Sequence, residues 1–113
     1  MSVSFDGFGT SALTFACADE IQPGTPVKMT APGEVAPCSQ GDEFCGTVAS
    51  YRGGYAGVNL CGAVTLALSG TAPSAGYAKL AADGSGGVAV SDSGREYLVL
   101  DTDTAAGTVT ILL

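Results

Sequence analysis

The stretch YAGVNLCGAVTLAL, residues 55–68, alternates in hydrophobicity along its whole length. Its even-numbered positions are aliphatic except at Gly62, and its odd-numbered positions are small or polar except at Tyr55. A period of two is typical of a β-strand that buries one face. The pattern therefore predicts that one set of side chains faces a core: Val58, Leu60, Val64, Leu66 and Leu68.

Gly62 interrupts this apolar file in its middle. A glycine inside a strand pattern indicates a bulge or a bend, because it adds no side chain to the sheet and tolerates unusual backbone angles. The stretch is therefore either one bent strand or two strands joined at a corner, as small barrels use.

Short strands are also predicted on both sides of this stretch. The 17 glycines and 5 prolines among 113 residues leave little room for long helices. The other predicted strands are 13–17, 25–30, 34–36, 44–52, 77–83, 88–92, 95–101 and 107–113. We expect an all-β fold, a small single-domain β-barrel or sandwich of about eight short strands over residues 11–113. Residues 1–10 are expected to form an extended N-terminal arm.

The charge balance limits the classes of partner. The chain has 4 Lys and Arg against 11 Asp and Glu, a formal net charge of −7. A nucleic-acid-binding surface and an anionic membrane both require positive charge, so we expect neither partner. No apolar stretch is long enough to span a bilayer, and MSVSFDGFGT lacks the basic flank and apolar core of a secretory signal. The protein is therefore expected to remain in the cytoplasm of the cell that makes it.

Enzymatic chemistry is not indicated. The chain has no histidine, which excludes a histidine-assisted serine or cysteine nucleophile. Asp101 and Asp103 follow an apolar run and resemble the nucleophile loop of a haloacid-dehalogenase-type phosphatase, but no charged residue follows them to hold magnesium. Ala105 and Ala106 likewise offer no side-chain oxygen for a calcium loop. The segment is predicted to be a hairpin turn, and no catalytic residue or cofactor is expected.

The four cysteines are Cys17, Cys38, Cys45 and Cys61. Zinc ligands usually come in pairs two to four residues apart, and the chain has no such pair. Most of the four are therefore expected to be buried thiols, with no bound metal. Whether Cys38 and Cys45 form a disulfide across the turn at Gly41 stays open.

Two groups of residues are candidate interface residues. Phe5 and Phe8 lie among glycines and serines in the N-terminal arm, and aromatic side chains are strong interface anchors. The sequence SYRGGY places Tyr51, Arg52 and Tyr55 around a predicted hairpin tip.

The order of segments after residue 21 adds a family resemblance. GTPV at 24–27, GD at 41–42, GTV at 46–48, the strand at 62–68 and GYAKLAADGSGGV at 76–88 follow one another along most of the chain. In this order they resemble the small β-rich capsid decoration proteins, also called head or cement proteins, of tailed bacteriophages and prophages.

The resemblance implies a non-enzymatic structural protein of the virion. Its partner would be the major capsid protein on the outer surface of an assembled head, where decoration proteins often sit as homotrimers. Two alternatives stay open: a stand-alone module that binds a glycan or a receptor, and a minor structural protein of the head or tail. Aromatic side chains exposed in a concave patch would favour the glycan-binding module.

Overall fold

The computed structural model describes Gly9 and residues 11–113; Phe5, Phe8 and the rest of the predicted arm lie outside the described residues. The described part is all-β and forms a single domain, as predicted, but it has ten strands where about eight were expected. The strands are β1 (Ser11–Ala16), β2 (Pro26–Ala31), β3 (Glu34–Pro37), β4 (Gly46–Arg52), β5 (Tyr55–Cys61), β6 (Ala63–Ser69), β7 (Gly76–Ala82), β8 (Val88–Val90), β9 (Arg95–Asp103) and β10 (Thr108–Leu112).

The ten strands form two closed barrels of identical topology. The first barrel has the strand order β1-β3-β2-β4-β5, and the second barrel has the order β6-β8-β7-β9-β10. The parallel pairs are β1 with β3 in the first barrel and β6 with β8 in the second barrel. All other neighbouring strands pair antiparallel. The second half of the chain therefore repeats the first half strand for strand.

The repeat extends to the strand register. Ala12 of β1 pairs with Asn59 of β5 in the first barrel. At the equivalent positions of the second barrel, Ala63 of β6 pairs with Leu112 of β10. A bulge leaves Ala49 of β4 and Leu100 of β9 without an opposite residue, again at matching places. The sequences agree as well, because ALTFA at 12–16 corresponds to AVTLA at 63–67.

Gly62 forms the corner between the two barrels. Its φ of 91° lies in the left-handed region, which residues with a side chain rarely adopt. The alternating stretch is therefore two strands joined at a corner, which is one of the two predicted arrangements. Val58, Val64 and Leu66 are buried as predicted, whereas Leu60 and Leu68 are half-buried at the margins of the two cores.

Each barrel has its own apolar core, and Phe44 joins them. Phe44 comes from the segment between β3 and β4, yet it lies in the core of the second barrel. Its ring stacks on Tyr97 with 4.8 Å between centroids, and the Tyr97 hydroxyl donates a 2.9 Å hydrogen bond to the Phe44 carbonyl. The radius of gyration is 13.1 Å, close to the value of about 13 Å for one compact domain of this size.

Candidate interaction surface

The hairpin tip between β4 and β5 brings two of the predicted interface residues together. Gly53 and Gly54 have φ values of 57° and 88°, and two left-handed residues in a row suit the turn of a tight β-hairpin. Arg52 and Tyr55 stand directly opposite each other beside the turn, and both are exposed.

Tyr51 lies on the other side of β4 and has a different role. It is half-buried against the core of the first barrel, and its hydroxyl donates a 3.4 Å hydrogen bond to the carbonyl of Cys17. Of the three predicted residues at this tip, Arg52 and Tyr55 offer surface to a partner, and Tyr51 mainly supports the barrel.

The cysteines are free thiols, with no disulfide between Cys38 and Cys45. Cys17 is buried, Cys38 and Cys45 are half-buried, and Cys61 is exposed beside the Gly62 corner, so the prediction that most of the four are buried is fully met only by Cys17. Burial, together with the negative charge of Asp42, raises the pKa of the Cys38 thiol to about 11. Cys38 is therefore protonated and a poor nucleophile at neutral pH.

Several carboxylates are hydrogen-bonded within turns of the protein. Asp42 accepts hydrogen bonds from Lys28 at 2.6 Å and from the Ser39 amide at 2.8 Å, and these contacts lower its pKa. Asp103 Oδ1 accepts the amide hydrogens of residues 105 and 106, at 3.1 and 3.0 Å. The predicted hairpin turn is thus confirmed, although β9 continues through Asp103 before the chain turns. Within the described ranges, no cluster of three metal-ligating side chains is present.

Asp83 holds the loop between β7 and β8. Its Oδ2 accepts a 2.6 Å hydrogen bond from the Ser69 hydroxyl, and its Oδ1 accepts the Ser85 and Gly87 amides at 2.7 and 3.0 Å. Burial alone would raise the pKa of Asp83, but these hydrogen bonds outweigh it and the pKa is lowered.

We expect Asp83→Asn to reduce the free energy of unfolding by about 1–2 kcal/mol at pH 7, because an amide has only one accepting oxygen. The folded protein has the lower pKa, so the contribution of the carboxylate is present above the pKa of the unfolded chain. It is lost as the pH falls through the pKa of the folded protein. Urea unfolding of both proteins at pH 7 and in strong acid measures this, with Asp92→Asn as the exposed control. A difference that persists in acid would contradict it.

The second barrel exposes a row of apolar side chains that was not predicted from the sequence. Tyr77 stands opposite Leu98, which in turn stands opposite Leu112, on three neighbouring strands. Tyr77 is 73% exposed and Leu112 is 38% exposed. The sequence feature that indicates an exposed apolar face is YLVL at 97–100, because apolar residues at consecutive positions give a strand two apolar faces. We call Tyr77, Leu98 and Leu112 the open row.

The first barrel exposes an uncharged strand. Residues 11–14 of β1 are exposed at every position, and Leu13 is 59% exposed. One edge of β1 pairs with β5, but among the described residues the other edge meets β3 only where Ala16 stands opposite Glu34. Edge strands usually carry charged residues that prevent pairing with other chains, and β1 has none. We call residues 11–15 the open strand.

A comparison with protein-family models finds no match for this chain. A comparison with curated protein sequences finds no match either. Over the described residues, no helix is long and apolar enough to cross a membrane.

Proposed function

We propose that this chain is a capsid decoration protein that binds the outer surface of an assembled phage head and stabilises it. The major capsid protein is its partner, the decorated virion is its location, and it has no enzymatic activity. The observation that carries the proposal is the pair of exposed, uncharged surfaces, the open row and the open strand, on a scaffold of two closed barrels. Exposed apolar surfaces of this kind mark contacts with other proteins, which on a shell include neighbouring copies of the chain as well as capsid subunits.

The positions of the resembling motifs support the proposal. Gly24, Gly41 and Gly76 have φ values of 87°, 86° and 104°, so the glycines that carry the resemblance lie where the backbone requires them. Gly46 is required for a different reason, because a Cβ atom there would lie 2.2 Å from the carbonyl oxygen of Asn59. The resemblance therefore rests on residues that specify the fold.

A decoration protein stabilises a shell by bridging many identical subunits. Closed barrels suit this task because their strands are paired along most of their length and the unit is rigid. We propose Phe5, Phe8, Arg52 and Tyr55 as the residues that contact the shell, and homotrimers as the state on the shell. Repetition of the sites on the shell raises the effective concentration, so each contact can be weak.

Binding to assembled shells tests the proposal. The shells are made from the major capsid protein that we expect the neighbouring gene to encode. We expect the protein to sediment with these shells but not with unassembled capsid subunits. Equal binding to unassembled subunits, no binding to shells, or a neighbouring gene that encodes no capsid protein would contradict decoration. Binding to an immobilised glycan in place of the shells would favour the glycan-binding alternative.

Deletion of residues 2–8 tests the role of the arm. The deletion removes none of the described contacts, so we expect the melting temperature to be unchanged. We expect binding to shells to be lost, because Phe5 and Phe8 are the proposed anchors. Phe5→Ala combined with Phe8→Ala should reproduce the loss, whereas Ser2→Ala combined with Ser4→Ala serves as the control. Unchanged shell binding of the truncated protein would remove the arm from the proposed contact.

A further inference from the structure

We propose that copies of this chain associate head to tail, with the open row of one copy covering the open strand of the next. The inference does not depend on the proposed function. It follows from the internal repeat, because the contact between the two barrels within one chain provides a template for the contact between two chains.

The template is a row of side chains on the first barrel. Pro26 stands opposite Thr47, and Thr47 stands opposite Asn59. These side chains point away from the core of the first barrel, because the next residues, Val27 and Val48, point into it. Nevertheless Pro26 is fully buried and Thr47 is only 2% exposed. Asn59, at the end of the row, is half-buried, and we call Pro26, Thr47 and Asn59 the covered row.

The start of β6 lies against the covered row. Thr47 and Asn59 line a small cavity together with Val64 and Thr65 of β6. Ala63, which pairs with the outward-facing Leu112, is itself buried. The covered row and the start of β6 therefore form the junction between the two barrels.

The strand registers assign the equivalent residues in the other half of the chain. The open row of Tyr77, Leu98 and Leu112 occupies the positions of Pro26, Thr47 and Asn59. Leu13 and Thr14 of the open strand occupy the positions of Val64 and Thr65. The second barrel thus presents one half of the junction, and the first barrel presents the other half.

Exposure of the equivalent residues shows that each half lacks its cover. Ala63 is 1% exposed, whereas its equivalent Ala12 is exposed, and Pro26 is fully buried, whereas its equivalent Tyr77 is 73% exposed. Thr47 is 2% exposed, whereas its equivalent Leu98 is half-buried.

The open row is also more apolar than the covered row, since it carries Tyr, Leu and Leu in place of Pro, Thr and Asn. Neither open surface contains a charged residue, so bringing them together desolvates no ion. A second copy of this chain therefore supplies the missing half of the junction to each surface.

Such a contact is heterologous, because two different surfaces meet. Heterologous contacts give a closed ring where the rotation between copies allows closure and a filament where it does not. In a ring of three copies the first and second barrels would alternate around the ring, which agrees with the homotrimer proposed for the shell.

Sedimentation velocity under reducing conditions, which keep the exposed Cys61 thiol from forming disulfides, tests the association up to about 1 mM protein. We expect the chain to self-associate with increasing concentration. Leu13→Glu and Tyr77→Glu should each weaken the association at least tenfold, because each places a charge in an apolar contact. Val90→Glu is the matched control, since Val90 is 49% exposed but lies outside both open surfaces. Circular dichroism spectra and melting temperatures check that all variants remain folded.

Mixing the two blocked variants tests the head-to-tail geometry. A Leu13→Glu copy retains its open row, and a Tyr77→Glu copy retains its open strand. The mixture should therefore form a one-to-one dimer that grows no further. A wild-type chain that stays monomeric up to the highest concentration, or variants that associate like the wild type, would overturn the inference. Failure of the mixture to dimerise would also overturn it.

A chain without residues 2–8 completes the test. Head-to-tail association should survive this truncation, and its loss would assign the contact to the N-terminal residues instead of the second barrel. Binding of monomeric copies to shells would leave the proposed decoration function standing while refuting the head-to-tail contact. The two proposals can therefore fail separately.

Discussion

Phe44→Ala is expected to lower the free energy of unfolding by about 3–5 kcal/mol, the range for removal of a buried aromatic ring. Phe44 is buried in the core of the second barrel and stacks on Tyr97. The substitution leaves a cavity there and removes the side chain through which the segment before β4 is fixed to the second barrel. A small domain has only about 5–15 kcal/mol of total stability, so the loss is large.

Urea unfolding followed by circular dichroism measures this loss. Tyr55→Ala is the matched control, because it removes an aromatic ring that is exposed. It should change the free energy of unfolding by less than about 0.5 kcal/mol. Similar losses for the two variants would mean that Phe44 does not contribute to the second core as described.

Gly94→Ala should have a comparable effect for a different reason. A Cβ atom at Gly94 would lie 2.2 Å from the carbonyl oxygen and 2.4 Å from the carbonyl carbon of Leu80. Both are backbone atoms of β7, so relief of the clash requires β7 and β9 to separate. We expect a loss of about 3 kcal/mol or more, at the upper end of the cost of overpacking.

Gly57→Ala is the control for this prediction. The nearest atom to its added Cβ would be the Ser50 hydroxyl oxygen at 2.9 Å, which can move away by rotation of the side chain. Thermal unfolding of the two variants should therefore give a much larger drop in melting temperature for Gly94→Ala. Equal drops in melting temperature would indicate that the backbone of β7 moves away from the added Cβ atom as easily as the Ser50 side chain does.

The two barrels explain how a chain with so few large side chains remains ordered. Each core is small, but Phe44 and the junction at β6 bury residues of one half against the other. The same arrangement leaves one uncovered surface on each barrel. The surfaces that we propose for contact between copies are thus a direct consequence of a repeat that occurs only twice.

Local patterns in the sequence were sufficient to predict the strands and several turns. Alternation over 55–68 identified the inward side chains, and the turns at Gly53-Gly54 and after Asp103 were recognised from turn-forming residues. These features depend on neighbours within a few residues along the chain, which is why the sequence is informative about them. The similarity of 12–16 to 63–67 was also present in the sequence, and it would have predicted the repeat.

Which strands pair across long distances in the sequence could be learned only from the tertiary structure. Closure of the first barrel depends on β1 meeting β5, and closure of the second depends on β6 meeting β10. No local pattern determines which of two strands with the same alternation will pair, so the sequence was compatible with a single barrel or sandwich. For the same reason, the position of Phe44 in the core of the other barrel was not predictable.

Leu13 and Val64 give the clearest case of this difference. In the sequence, both belong to an apolar strand with the order Ala, aliphatic, Thr, large apolar, Ala. In the folded protein Val64 is 5% exposed within the core of the second barrel, whereas Leu13 is 59% exposed. Local sequence determines the alternation of side chains along a strand, but burial also depends on what lies against that strand, and this is set by residues far away in the chain.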